Sequence, residues 1–249
     1  MYSAAARDLT MRKRHYVQCS DQKVVADHLT ENIELWQAKR RKSAAPGVPA
    51  IAEPIDETPV ASIHNLVGTA RIDMCGAALD LPSVSRHMPN AHFDRQKFAA
   101  ITIRLQQPFC TVLLFGSGKM VLTGCKTFLQ CLCAAHEIAS FLRGAYPQHT
   151  VRLCGVTIQN IVGNADLGLG PDQSIDLDTF MEDLNVYCTY LKHMFPGLIF
   201  RPPNSPVVLL LFLSGKVVIT GGKSSHDVEH GWRTLWPTVR KYIRTTKNI

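Results

Sequence analysis

The chain has 249 residues, of which 46% are hydrophobic and 19% charged, and its formal net charge is +7. This composition allows a buried core and excludes a disordered polyelectrolyte. The longest apolar run, Val207 to Leu213, is too short for the roughly 20 helical residues that cross a bilayer, so we expect no membrane contact. The charged N-terminus also argues against a secretory signal.

Residues 1–60 are predicted to be a tail and linker with a partly helical segment. Ser20 is placed to cap a helix whose apolar face runs from Val24 to Trp36. The basic tetrad Lys39–Lys42 is typical either of a solvated helix end or of a nuclear-import or nucleic-acid patch. The prolines that follow indicate a linker.

The remainder of the chain contains an internal repeat. Residues 113–126 match residues 210–223 at ten of fourteen positions, an offset of 97 residues, and Phe98 matches Phe195 at the same offset. Asn65 and Asn160 each open an Asn-x-Val-Gly sequence. These matches predict two copies of one unit, over residues 61–150 and 151–249, arranged as a pseudo-dimer.

Both repeats predict the same order of elements: an extended segment, a short helix, a group of strands that includes a tight hairpin turn, and a long helix. The expected segments are 63–72, 80–88, 99–105, 111–115, 120–123 and 127–143, then 156–162, 176–183, 217–220 and 226–245. This order predicts an α+β fold in which helices cover one face of a sheet. The other face is then left to water or to a partner.

Strand alternation brings several unlike side chains onto one face, provided the hairpin turn keeps the phase. They are Phe115, Ser117, Lys119, Val121 and Thr123, with Phe212, Ser214, Lys216, Val218 and Thr220 in the second repeat. The phenylalanines are either ordinary core residues or part of an open face, and a buried unpaired lysine would be costly. An open face of this kind suits the DNA minor groove: amide and hydroxyl donors match its acceptors, rings can enter base steps, and lysines neutralise phosphates.

Metal, cofactor and enzyme sites are not predicted. The eight cysteines form no Cys-x-x-Cys pair and are interpreted as reduced thiols, mostly in the core. Cys131, Cys133 and His136 come nearest to a zinc spacing, but on a helix the two cysteines point to different faces. The Gly116–Lys119 segment lacks the flanking residues of a phosphate loop, and no paired-carboxylate or nucleophile-elbow pattern is present.

At its most specific motifs the sequence resembles the TATA-box-binding protein family. The motifs are Lys97–Ala100, Leu114–Gly124, Ile158–Gly163, Phe195–Ile199 and Leu210–Lys223, and the resemblance covers residues 61–245. It implies a two-fold pseudo-symmetric saddle, with a curved antiparallel sheet on the concave face and helices on the convex face. The resemblance also implies that the protein kinks DNA from the minor groove.

The resemblance also assigns roles to residues. It implies two intercalating pairs, Phe98 with Phe115 and Phe195 with Phe212. It implies minor-groove contacts by Asn65, Val67, Val121, Thr123, Asn160, Val162, Val218 and Thr220. It implies phosphate contacts by Arg104, Ser117, Lys119, Lys126, Arg201, Ser214, Lys216 and Lys223. The implied function is that of a nuclear, non-enzymatic factor that binds A·T-rich promoter DNA and nucleates a transcription preinitiation complex without a cofactor.

The sequence departs from the family pattern at its rims. Gln106–Phe109 and Pro202–Pro206 lack the usual charged residues, and Leu191–Met194 replaces an acidic segment that meets transcription factor IIB. The long helix of the first repeat has Arg143 as its one basic residue after Lys126, although in the family this helix is basic and meets factor IIA. We therefore expect a divergent, TBP-related factor whose general transcription factors dock on altered interfaces. The alternative is a protein-interaction scaffold of the same fold without strong TATA specificity.

Overall fold

The computed structural model describes residues 58–245. The predicted helix, basic tetrad and most of the linker in residues 1–57 lie outside the described residues, as does Cys19. The strands are β1 Ser62–Asp73, β2 Ala91–His92, β3 Ala100–Gln106, β4 Phe109–Phe115, β5 Lys119–Cys125, β6 Arg152–Asp166, β7 Gln173–Ile175, β8 Cys188–Thr189, β9 Leu198–Phe200, β10 Val208–Leu211, β11 Lys216–Gly222 and β12 Ile243–Thr245. The helices are α1 Leu81–His87, α2 Phe128–Ala145, α3 Leu177–Asp183 and α4 Ser225–Arg240, with a short 3-10 turn at Asn185–Tyr187.

Ten of these strands form one open antiparallel sheet, in the order β2-β3-β4-β5-β1-β6-β11-β10-β9-β8. The two repeats meet at its centre, where β1 pairs with β6 along its whole length, from Ser62 opposite Asn164 to Asp73 opposite Arg152. Register shifts interrupt this pairing at three places. Such irregularities bend a strand and increase its twist, which accounts for the curvature of the sheet.

The two faces of the sheet differ in burial, as the alternation predicts. Along β4 and β5 the side chains of Val112, Leu114, Met120 and Leu122 are fully buried beneath the helices. The alternate residues, on the side that no helix covers, remain partly or fully exposed. The hairpin turn between β4 and β5 does not disturb the alternation of buried and exposed side chains. The predicted α+β fold with one open face is therefore confirmed. That face is called the open face below.

Glycines let the long helices lie close to the central strands. A Cβ on Gly68 of β1 would meet the Cys131 Sγ of α2 at 2.5 Å, and a Cβ on Gly163 of β6 would meet the Val228 Cγ1 of α4 at 2.6 Å. Both distances are shorter than real Cβ contacts. The two positions are equivalent in the repeats, so each half of the sheet is covered by its own helix in the same way.

The end of the last helix was predicted wrongly. The sequence suggested a helix over residues 226–245, but α4 ends at Arg240 and residues 243–245 form β12, which pairs with β7. The Asp176 N–H donates to the Tyr242 carbonyl (2.8 Å), and the Tyr242 ring packs on Phe180 with centroids 4.6 Å apart. These long-range contacts favour the strand over another helical turn.

Other boundaries shift without changing the element order. The strand predicted at 156–162 runs from Arg152 to Asp166, and the short strands β2, β7 and β8 were not predicted. Among residues 58–245 no helix combines the length and the apolar character needed to cross a membrane.

Candidate nucleic-acid interface

Four phenylalanines form two ring pairs on the open face. Phe98 lies before β3 and packs edge-to-face on Phe115 of β4, with centroids 6.0 Å apart. Phe195 lies before β9 and packs in the same way on Phe212, directly after β10, at 5.8 Å. Phe98 is 46% exposed and Phe195 37%, so the interpretation of these rings as core residues is wrong. Because β3 and β4 lie on one side of the sheet and β9 and β10 on the other, the pairs are at opposite ends.

A small residue lies under each ring pair. Ala100, 2% exposed, is the cross-strand partner of Phe115. Its equivalent is Gly197, where a Cβ would lie 2.7 Å from the Phe195 ring and 3.0 Å from the Phe212 ring. Sequence reasoning missed both supporting residues, although the offset of 97 residues that pairs the phenylalanines also pairs these two positions.

Two asparagines are fixed in the same orientation near the centre of the open face. The Oδ1 of Asn65 accepts the Gly124 N–H at 2.7 Å, and its Nδ2 donates to the Thr123 hydroxyl at 3.4 Å. In the second repeat Gly221 donates to Asn160 at 2.8 Å and Asn160 donates to Thr220 at 3.1 Å. Since each carbonyl oxygen is held by a backbone N–H, the amide nitrogen keeps an N–H free for an outside acceptor.

The glycines of these two networks were not predicted as functional residues. Gly124 and Gly221 have φ angles of +94° and +99°, a conformation that residues with a side chain rarely adopt. The conformation directs their N–H groups to the asparagines. The signal was present in the sequence as the Thr-Gly dipeptide that both repeats contain.

The four predicted valines also face the open side. Val67, Val121, Val162 and Val218 are each half-buried between residues that point into the core. They lie on the four central strands of the sheet, beside the asparagine and threonine side chains. Together these residues form a surface that combines apolar contact area with a few donors.

The predicted phosphate contacts are exposed, and the cations among them carry unneutralised charge. Arg104, Ser117, Lys119, Lys126, Arg201, Ser214, Lys216 and Lys223 are all exposed. Within residues 58–245 none of the six basic side chains takes part in an ion pair. Three lie in each repeat, so positive charge is available along both halves of the sheet.

The cysteines form no candidate metal centre in the described part of the chain, in which no group of three or more ligands is brought together. Cys110 of β4, Cys125 of β5 and Cys131 of α2 lie in the core between sheet and helix, and all seven described cysteines are free thiols. Hydrogen bonding to Cys125, together with burial, raises the pKa of the Cys110 and Cys131 thiols. Cys188 is also buried, Cys133 is half-buried, and Cys75 and Cys154 are exposed, so most of the described cysteines lie in the core as predicted.

The rim segments expose apolar side chains at the places where the sequence lacks charges. Phe109, after the cis peptide Gln107–Pro108, is 80% exposed at the start of β4, and Met194 is 75% exposed before Phe195. Lys192 forms an exposed ion pair with Asp178 at 2.6 Å. These rim surfaces therefore expose apolar side chains, and the charge of Lys192 is balanced by Asp178.

Comparisons with known proteins give one consistent result. The family model of "Transcription factor TFIID (or TATA-binding protein, TBP)" matches residues 60–145 and 155–242. The chain is 34% identical to a TATA-box-binding protein of Acanthamoeba castellanii over 186 residues, which is 75% of this chain and 69% of that protein. It is also 34% identical to a TATA-box-binding protein of Caenorhabditis elegans over 206 residues, 83% of this chain and 58% of that protein. The solved structure of Methanococcus jannaschii TBP superposes with a TM-score of 0.61 and 33% identity, over 74% of this chain and 99% of that one.

A duplicated α+β unit with a curved, open antiparallel sheet and four helices defines the TBP-like fold. The two matches of the family model fall on the two copies of the internal repeat. The chain belongs to the TATA-binding protein family of transcription factors.

Proposed function

We propose that this protein binds the minor groove of A·T-rich promoter DNA with the open face of its sheet, kinks the duplex with its two phenylalanine pairs, and so nucleates assembly of a preinitiation complex in the nucleus. One observation carries the proposal. Two ring pairs, partly exposed and edge-to-face, lie at opposite ends of one open face. A ring pair at each end can enter a base step and unstack it, at a cost of a few kcal/mol per step.

The centre of the open face supports the choice of groove. The minor groove of A·T pairs presents only acceptors, whereas a G·C pair adds an amino donor. Asn65 and Asn160 turn their Nδ2 groups outward because their carbonyl oxygens are held by Gly124 and Gly221. The amide donors match the acceptors of A·T pairs, and the valines fit the smooth floor of the groove. This surface disfavours a G·C pair, because the guanine amino group is a donor that projects into the groove.

The unpaired cations support binding to the phosphates. With six basic contacts at about −0.9 each, the logarithm of affinity against the logarithm of salt concentration should have a slope near −5. The phosphates would set the position of the duplex and supply sequence-independent affinity. Flexible pyrimidine–purine steps would then supply sequence preference by lowering the cost of kinking.

A second candidate function is favoured by the rim. Phe109 and Met194 are exposed apolar side chains, and phenylalanine and methionine are enriched at protein–protein interfaces. In this alternative the fold serves as an interaction scaffold in a transcription complex, without strong TATA specificity. Both functions use general transcription factors as partners, and they differ in whether the open face holds DNA.

A mobility-shift assay on a short A·T-rich duplex separates the two functions. We expect the Phe98→Ala, Phe115→Ala, Phe195→Ala, Phe212→Ala variant to lose binding, because the rings that unstack the duplex are gone. The matched control is Phe109→Ala, which removes an exposed ring from the rim. Unchanged binding by the fourfold variant would favour the scaffold.

Base substitutions in the same assay test whether the protein contacts the minor or the major groove. One G·C pair at the centre of the site should cost about 1–3 kcal/mol. An inosine·C pair at that position should restore binding, because inosine lacks the amino group in the minor groove but has the major-groove edge of guanine. Equal losses with G·C and inosine·C would place the contact in the major groove and contradict the proposal.

A further inference from the structure

The two repeats differ in charge at one equivalent pair of positions on the open face. In the first repeat, Arg71 of β1 lies directly opposite Lys119 of β5. In the second, Asp166 of β6 lies directly opposite Lys216 of β11. Arg71 and Asp166 are related by the same offset of 95 residues as Asn65 and Asn160. The first pair carries two positive charges, whereas the second pair is neutral overall.

The backbone around the two pairs is the same. The Ile72 N–H donates to the Gly118 carbonyl at 2.8 Å, and the Leu167 N–H donates to the Gly215 carbonyl at 3.1 Å. Each bond ties the hairpin turn to the residue that follows Arg71 or Asp166. At this bond the two repeats have the same backbone arrangement, so the difference in charge comes from the side chains of Arg71 and Asp166.

The first pair has no partner of opposite charge in the described part of the chain. Arg71 and Lys119 are both exposed, and neither forms an ion pair there. The carboxylate nearest in sequence, Asp73, accepts the Cys75 N–H at 3.1 Å. Like charges directly opposite each other destabilise a sheet, so an anion from outside would relieve this arrangement.

A shallow cleft at this place, largely open to solvent, is lined by donors that suit an oxyanion. Its volume is about 510 Å³, and its lining includes Thr69, Arg71, Ser117, Lys119 and Thr157 but no acidic residue. A guanidinium, an ammonium and hydroxyl groups are the donors that bind phosphate, and arginine can do so with two parallel bonds.

We propose that Arg71, Lys119 and Ser117 together bind a backbone phosphate of the DNA, and that the first repeat therefore holds the duplex more strongly than the second. The inference rests on the proposed function. It adds Arg71 to the phosphate contacts and makes Asp166 the residue that weakens the equivalent contact of Lys216. The ligand chemistry is that of a phosphodiester, since the cleft lies on the face that would hold the duplex.

The test compares the salt dependence of affinity for a short A·T-rich duplex between single-charge variants. Arg71→Gln should lower the magnitude of the slope by about 0.9, and affinity in 0.1 M salt should fall about five- to tenfold. The matched control is Arg233→Gln, which removes one positive charge from the exposed side of α4, where Arg233 pairs with Glu229 at 3.0 Å. The control should retain the slope of the unaltered chain.

A second variant acts in the opposite direction. Asp166→Asn removes the carboxylate beside Lys216 and should increase affinity, which a merely misfolded protein would not do. Equal slopes for Arg71→Gln and Arg233→Gln, or no gain with Asp166→Asn, would overturn the inference and leave the proposed function standing. Absence of binding by the unaltered chain would overturn both.

Discussion

The two repeats are alike over most of the open face of the sheet and unlike at its rims. Each has a phenylalanine pair about 6 Å between centroids, and each has an asparagine held by a glycine N–H at a strand end. At the rims, by contrast, Phe109 stands at a hairpin tip of the first repeat, while Pro202–Pro206 occupies the equivalent place in the second.

The contrast agrees with the two kinds of partner in the proposed function, namely DNA on the open face and proteins at the rims. In the proposed function, a duplex with approximate two-fold symmetry along its minor groove would require equivalent contacts from both repeats, and the residues proposed for these contacts are the ones that match. Protein partners impose no such symmetry, and the rim segments differ both from each other and from the family pattern. The Arg71 and Asp166 positions are the exception, since they face the open side and yet differ in charge.

The largest expected effect comes from removing one phenylalanine pair at a time, which tests whether the two repeats contribute equally to DNA binding. Phe98→Ala with Phe115→Ala, and Phe195→Ala with Phe212→Ala, should each lower affinity for an A·T-rich duplex by roughly a hundredfold, close to 3 kcal/mol. The physical reason is that one kink and the contacts that depend on it are lost in either case. Fluorescence anisotropy titrations would check it, with Phe109→Ala as the control. A large effect from only one pair would show that the repeats are not equivalent in use.

The second test acts on the packing of helix on sheet. Gly68→Val and Gly163→Val should each lower the free energy of unfolding by about 1–3 kcal/mol, because added side-chain atoms overpack a filled contact. Urea denaturation would measure both. Gly144, where a Cβ would meet nothing within 4 Å, supplies the control as Gly144→Ala. If the valine variants were as stable as this control, the close approach of helix and sheet would be wrong.

The third test separates the two roles of the central asparagines. In Asn65→Asp the carboxylate can still accept the Gly124 N–H, but it has no amide donor and adds negative charge. We expect little change in stability and about a tenfold loss of DNA affinity, in line with one lost base contact of 1–3 kcal/mol. Asn160→Asp should behave alike. A stability loss equal to the affinity loss would mean that the asparagines act only in folding.

The smallest expected effect concerns the N-terminal cap of the short helix, which is α1 in the first repeat and α3 in the second. Only α3 has a side-chain cap. Asp176 accepts the Thr179 N–H at 3.0 Å, whereas α1 has no side-chain cap. The Thr179 N–H and hydroxyl lower the pKa of Asp176. Its stabilising effect is therefore present at neutral pH and is lost as the pH falls through this lowered pKa. Asp176→Ala should cost about 1 kcal/mol at neutral pH.

Asp176→Asn is the control for that measurement, since asparagine also caps helices but does not titrate in this range. It should retain stability at neutral pH and lose part of the acid dependence. Thermal melts across the acidic range would compare the three chains. An unchanged acid dependence in Asp176→Asn would show that other carboxylates account for it.

Much of the fold could be predicted because two local signals agree. The repeat fixed the number of units, and strand alternation placed Phe115, Val121 and Thr123 on one face, as the structure confirms. The failures are all long-range. Residues 243–245 were predicted to belong to the last helix, but pairing with β7 makes them a strand. Neither propensity nor periodicity contains that information.

The candidate site likewise contains residues that could be predicted from the sequence and residues that could not. Sequence analysis identified the side chains that occur in both repeats. It did not identify Gly197, which leaves space for a ring pair. It also did not identify Gly124 and Gly221, whose N–H groups orient the asparagines. Arg71 was missed for the opposite reason. It breaks the repeat, and only the cross-strand register puts it beside Lys119.

The most direct test of minor-groove kinking is the bend of the bound duplex. A short A·T-rich duplex with a donor and an acceptor dye at its ends should show a clear rise in energy transfer when the protein binds, since unstacking two steps shortens the end-to-end distance. Each double phenylalanine variant, at saturating concentration, should give a smaller rise. A tight complex in which energy transfer stays at the value of the free, straight duplex would contradict the account.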